Sequence, residues 1–115
     1  MAFSSLRSLM GASSGGGGGG GNPYAIFGYG YTGSIVSMTN KVDSSGTVAT
    51  DTTGVGSARY PLAAAGYGSD KAIFGYGWTD SNTSITNKVD NTGTVATDTT
   101  GVGTARNQLA AAGYG

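Results

Sequence analysis

Residues 25–68 and 72–115 are the same sequence written twice, 47 positions apart. AIFGYG (Ala25–Gly30) falls on Ala72–Gly77, TNKVD (Thr39–Asp43) on Thr86–Asp90, GTVATDTTGVG (Gly46–Gly56) on Gly93–Gly103, and LAAAGYG (Leu62–Gly68) on Leu109–Gly115. Of 44 aligned pairs, 34 are identical. A period of roughly 40–50 residues marks a solenoid, a propeller or an array, with one supersecondary unit per repeat. Such a unit cannot bury its apolar face alone, and about three are usually needed for stability. This chain has two, so a strong repeat stands beside too few copies of it.

Each repeat reads as four short strands. The first is AIFGYG, and the second lies within Ser34–Asp43 and, in the second copy, Ser81–Asp90. The third is Thr47–Thr53, and the fourth runs from Arg59 through LAAAGYG. Val, Ile, Thr, Phe and Tyr fill these segments, as pleated structure favours. Ser44-Ser45-Gly46 and Asn91-Thr92-Gly93 are tight turns with glycine where φ must be positive. Gly54-Val55-Gly56 breaks the third strand. Leu62–Ala65 reads as strand, with one turn of alanine-rich helix as the alternative. The fold class is therefore all-β. Residues 24–70 form the first four-stranded unit and 71–115 the second; 11–23 are a Gly/Ser-rich linker with seven consecutive glycines.

Residues 1–10 carry Phe3, Leu6, Leu9 and Met10 at spacings that place them on one helical face. A segment this short is marginal alone. It is either without structure of its own or an anchor peptide that folds on a partner, and the tether behind it favours the anchor.

Composition narrows the function classes. Charged residues make up 10% of the chain, against about 25% in an average domain, and six Lys+Arg balance six Asp. No electrostatic footprint for nucleic acid or an anionic membrane results. The chain lacks Cys and His, which removes disulfides, thiolate metal sites and the commonest general base. No apolar run approaches the roughly 20 residues of a membrane helix. No nucleophile is paired with a base, so the reading is non-enzymatic, with no cofactor and no metal. Gly28-x-Gly30-x-x-Gly33 matches a dinucleotide fingerprint letter by letter. No helix is expected to follow it, and Asp80 replaces the last glycine in the second copy. Asn82-Thr83-Ser84 fits a glycosylation acceptor, relevant only in a eukaryotic secretory setting.

Asp51 and Asp98 occupy equivalent places in the two copies, as structural residues do. They are expected to pair with Arg59 and Arg106 or to cap a turn. Lys41/Asp43 and Lys88/Asp90 read as a solvated strand face. The copies differ at Tyr31/Trp78, Gly33/Asp80, Ile35/Asn82, Val36/Thr83 and Met38/Ile85, and again at Tyr60/Asn107 and Pro61/Gln108. Such positions fall in loops or subunit contacts. The aromatic pair Tyr31 and Trp78 is a candidate glycan contact, with edge packing as the plainer alternative.

Four antiparallel strands per unit describe a propeller blade. The order Arg59, LAAAGYG, AIFGYG, a polar strand, a turn and TVATDTT resembles the kelch motif over Tyr24–Gly115. Gly-Tyr-Gly stands in place of the kelch Gly-Gly pair, and the Trp before the final strand is absent. The Gly/Thr-rich wording is also similar to kelch-like repeats in virion and tail-fibre proteins of marine bacteriophages. That resemblance implies a virion setting, with residues 1–10 docked on other virion proteins and the propeller turned towards a host surface, including its glycans. A small carbohydrate-binding propeller lectin is the alternative.

In this register the first blade lacks its LAAAGYG strand, while Leu109–Gly115 has no blade to follow it. A neighbouring copy then supplies the missing strand, and two blades per chain close as a trimer of six or a tetramer of eight, within the usual 4–8 blades. The alternative is that the 115 residues belong to a longer repeat protein.

Overall fold

A computed structural model describes residues 22–115. The sequence-predicted anchor residues Phe3, Leu6, Leu9 and Met10, and the glycine run, lie outside them. The regular elements among the described residues are all strands: β1 (Ala25–Tyr31), β2 (Ile35–Val42), β3 (Ala63–Tyr67), β4 (Lys71–Trp78) and β5 (Asn82–Val89). They form two antiparallel sheets, one of β1 and β2 and one in the order β3-β4-β5. The fold is all-β. Leu62–Ala65 takes the extended alternative, because Ala63–Tyr67 pairs with Lys71–Gly75.

The expected third strand forms only in part. Val48 and Thr52 make isolated bridges to Val42 and Thr39, and Val95 and Thr99 repeat them on Val89 and Thr86. Between the two bridges the register slips by one residue, as in a bulge. The cause is an asparagine. The Asn40 amide donates to the Ala49 carbonyl (3.2 Å) and to Asp51 Oδ1 (2.8 Å), and Asn87 does the same to Ala96 (3.1 Å) and Asp98 (2.9 Å). A side chain thus fills the slot that ladder bonds would occupy.

The turns have glycine at positive φ, +88° at Gly46 and +81° at Gly93. Asp43 and Asp90 are exposed, as a solvated face requires, and they also act within the turns. Asp43 Oδ1 accepts from the backbone N–H groups of Ser45 (3.0 Å) and Thr47 (2.9 Å) and from the Ser45 hydroxyl (2.7 Å). Asp90 holds Thr92 and Thr94 in the same way. These acceptors hold the turns in shape. Both carboxyls are held below the usual range, first by the hydroxyl of Ser45 or Thr92 and then by the turn amides.

The Gly-Tyr-Gly segments are bulges. The β1–β2 register shifts between Gly28 and Gly30, and β4–β5 shifts between Gly75 and Gly77. At their centres Tyr29 and Tyr76 adopt left-handed backbone, with φ of +65° and +62°. That conformation costs a non-glycine residue about 1–2 kcal/mol. Its return is the position of the ring: Tyr29 meets Phe74 of the other sheet at 5.1 Å between centroids. Tyr29, Phe74, Val89 and Val95 are the buried core, with Ile26, Val55, Leu62 and Ala72 packed against it. Gly28 permits this approach, since a Cβ there would lie 2.6 Å from the Phe74 ring.

Leu109–Gly115 repeats the sequence of β3 but forms no strand among the described residues, and Tyr114 is fully exposed. The same residues make a strand at 63–67, where β4 pairs with them.

Candidate functional site

The chain's most developed polar site is the seam between the two sheets. Arg59 and Asn87 are both wholly buried there. Arg59 leaves the end of the first repeat and crosses to the second sheet. Its Nε donates to the Tyr76 carbonyl (2.8 Å), Nη1 to the Ser57 carbonyl (3.0 Å) and Nη2 to Asn87 Oδ1 (2.7 Å). The guanidinium also lies 4.6 Å over the Tyr29 ring and 3.9 Å from Asp98. A flat fork of fixed donors suits this socket, where an ammonium would satisfy fewer acceptors.

Asp98 gathers the other side of the seam. It accepts from Asn87, from the Ser57 N–H (3.1 Å) and from the Ser57 hydroxyl (2.7 Å). Gly56, at φ +80°, allows the backbone to come this close: a Cβ there would stand 2.5 Å from both Asn87 and Asp98. Desolvation raises the Asp98 carboxyl, but the bonds from Asn87 and Ser57 and the charge of Arg59 outweigh it. The carboxyl settles below its usual range. Burial pushes the Arg59 guanidinium down and the Tyr29 phenol up, the second against the pull of Arg59. An arginine remains a cation through such a shift. Tyr29 completes the seam by donating its hydroxyl to the Val55 carbonyl (2.8 Å).

Of the residues singled out in the sequence, Arg59 and Asp98 are brought together across the seam. Asp51 and Arg106 are not. Asp51 is bound by its own neighbour Asn40, and Arg106 lies 4.5 Å over the Tyr76 ring with Nη1 on the Thr104 carbonyl. Tyr31 stacks on Tyr60 at 5.7 Å with an angle of 28° between the rings, and both are exposed. The Tyr60 N–H donates to the Trp78 carbonyl (3.1 Å), and the Trp78 side chain is exposed. Asn107, in the place of Tyr60, instead donates to Asn82. Gly28–Gly33 runs through β1 and its bulge into a bend, and the phosphate-cradling turn into a helix is not formed. Among the described residues no three His, Cys, Asp or Glu stand together as a metal would need.

Asn87, Ser57, Tyr29 and Phe74 were not singled out from the sequence as site residues. One signal is present for Asn87: an asparagine recurs among β-formers at the same strand position in both copies. Compared with protein-family models, curated proteins and solved structures, the chain matches none.

Proposed function

We propose that this chain is a non-enzymatic structural and adhesion module. Its two sheets are kelch-like propeller blades, and copies join head to tail into a ring of three or four chains. One observation carries this reading: the largest wholly buried side chains among the described residues, Arg59 and Asn87, both join one repeat to the next. Buried polar groups elsewhere often build sites for ligands; here their hydrogen bonds are satisfied by the protein itself. The proposed setting is a phage virion, as a tail or head fibre component held by residues 1–10, with the propeller facing outward. That setting rests on the Gly/Thr-rich repeat wording and on the tethered apolar face of Phe3, Leu6, Leu9 and Met10.

The experiment removes residues 1–21. The trimmed protein keeps its β-sheet circular dichroism and its oligomeric state, and it no longer incorporates into particles. Normal incorporation would show that the propeller carries the attachment surface and would end the anchor reading.

A second reading, a small propeller lectin, has its own observation. The exposed Tyr31–Tyr60 stack offers flat apolar faces of the kind that pack on sugar rings. Binding on a glycan array, lost in Tyr31→Ala and Tyr60→Ala, would favour the lectin over the scaffold.

A further inference from the structure

The seam inside the chain is built from two different faces, and the chain displays a second copy of each. One face is the far side of the first repeat: Arg59, Ser57, Tyr29 and Lys41. The other is the near side of the second: Asn87, Asp98, Phe74 and the turn at Thr92, whose carbonyl accepts from Lys41 Nζ (3.1 Å). Shifted by 47 positions, the first face recurs as Arg106, Thr104, Tyr76 and Lys88, and the second as Asn40, Asp51, Phe27 and the turn at Ser45. Every recurring side chain is the same except two: Ser57/Thr104, which keeps the hydroxyl, and Thr92/Ser45, where the backbone carbonyl is the group in use.

Both recurring faces are uncovered. Phe27 is 63% exposed where Phe74 is 4% exposed, and Val48 is 53% exposed where Val95 is 9% exposed. Arg106 is exposed where Arg59 is wholly buried. Gly103 meets only the Tyr76 hydroxyl, while Gly56 sits against Asn87 and Asp98.

Both faces also hold the seam geometry already. Arg106 lies over Tyr76 at 4.5 Å as Arg59 lies over Tyr29 at 4.6 Å, and each Nη1 donates 3.0 Å to the carbonyl two residues before it. The Tyr76 hydroxyl donates to Val102 at 2.8 Å, as Tyr29 does to Val55. On the opposite face, Asn40 donates to Ala49 and Asp51 as Asn87 donates to Ala96 and Asp98. Its Oδ1 has no donor among the described residues, and Oδ1 is the atom that receives Arg59 in Asn87. Little reorganisation is needed on either side, which lowers the cost of association.

We infer that Arg106 and Thr104 of one copy enter the socket formed by Asn40 and Asp51 of a second copy, rebuilding the internal seam between chains. Tyr76 then covers Phe27, and Lys88 reaches the Ser45 carbonyl. The contact is heterologous, because the two faces differ, and it propagates head to tail. This assignment rests on the head-to-tail reading above and gives it residues.

The test uses the full chain and native mass spectrometry. The wild-type chain forms one defined oligomer. Arg106→Ala and Asn40→Ala each block one face, and either weakens association by about 30-fold or more, as expected when one partner of a buried charged hydrogen bond is removed. Mixed together, the two variants recover a dimer and nothing larger, because one intact seam remains. A second measurement does not depend on the variants staying folded as monomers. The chain has no cysteine of its own, so Thr104→Cys with Asp51→Cys in one chain, oxidised, gives a ladder of covalent oligomers on a non-reducing gel. A wild-type monomer would sink both this assignment and the ring. An oligomer unchanged in both single variants, with no ladder, would overturn the assignment alone and leave a ring built on another surface.

Discussion

The Arg59 side chain is wholly buried, so its stability contribution depends on keeping all its acceptors. Replacing it by alanine removes donors from the Tyr76 and Ser57 carbonyls and from Asn87, and leaves the Asp98 carboxylate without its cation. Loss of one member of a buried network costs on the order of 3 kcal/mol. Urea titration of Arg59→Ala, followed by circular dichroism, checks this figure. Tyr29→Phe is the milder companion: it keeps the contact with Phe74 and loses only the bond to Val55, at a cost of about 1 kcal/mol.

The carboxyls fix the response to acid. Asp43, Asp90 and Asp98 are all held below their ordinary value in the folded state. The unfolded chain therefore binds protons first as pH falls. The contribution of these groups is fully present above the unfolded carboxylate pKa of about 4 and is lost as pH drops through the lower folded values. With no histidine to titrate, the urea midpoint is flat between about pH 5 and 8 and falls below about pH 4. A midpoint that rose on acidification would contradict the sign. Asp98→Asn removes the seam's share of this acid sensitivity and leaves that of the two turns and of Asp70, which its bond from Lys71 also holds low.

Elements built from one sequence need not be alike. The polar strand and AIFGYG form in both copies, because the residues that make them strands are local: β-branched and aromatic side chains bounded by glycine turns. The Asx-type turns are local too, since Asp43 and Asp90 bind amides only two and four residues ahead. Asp43→Ala should therefore speed amide exchange at Ser45 and Thr47 and leave β4 and β5 protected. Uniform deprotection would show that the turn also holds the seam. The third strand forms only as isolated bridges, because Thr47–Thr53 has the right composition but an asparagine on the adjacent strand interrupts the ladder. The seam was only half legible. Arg59 and Asp98 are conspicuous as repeated charges, but Asn87 is 28 residues from Arg59, and the asparagine among β-formers recurs in both copies without saying which one is buried. Nor can sequence separate Asn40 from Asn87, or Arg106 from Arg59. Each pair has the same immediate chain neighbours on at least one side, and its exposure is decided by whether another sheet lies against it.

For the whole molecule, what matters is how the free edge of β1 is covered. Inside the chain, β3 pairs with β4 in the register Ala63↔Gly75, Ala65↔Ile73 and Tyr67↔Lys71. The same residues recur at 110–114, unpaired among the described residues, and the β1 edge that would match them is likewise without a strand. An exposed edge of this kind is a template for another chain. In the proposed ring, residues 110–114 of one copy pair with β1 of the next, Ala110 opposite Gly28 and Ala112 opposite Ile26. Deleting Leu109–Gly115 keeps Arg106 and its socket but removes these backbone bonds. The expected result is a smaller or aggregating species with a lower melting temperature, because unpaired N–H and C=O groups remain along β1. Hydrogen exchange gives the sharper measurement: in the intact ring the β1 amides that point away from β2 are protected, and in the truncated chain they exchange freely. If truncation leaves size, melting and β1 protection unchanged, the free edge is covered by something other than a neighbour's last strand, and the ring closes through side chains alone.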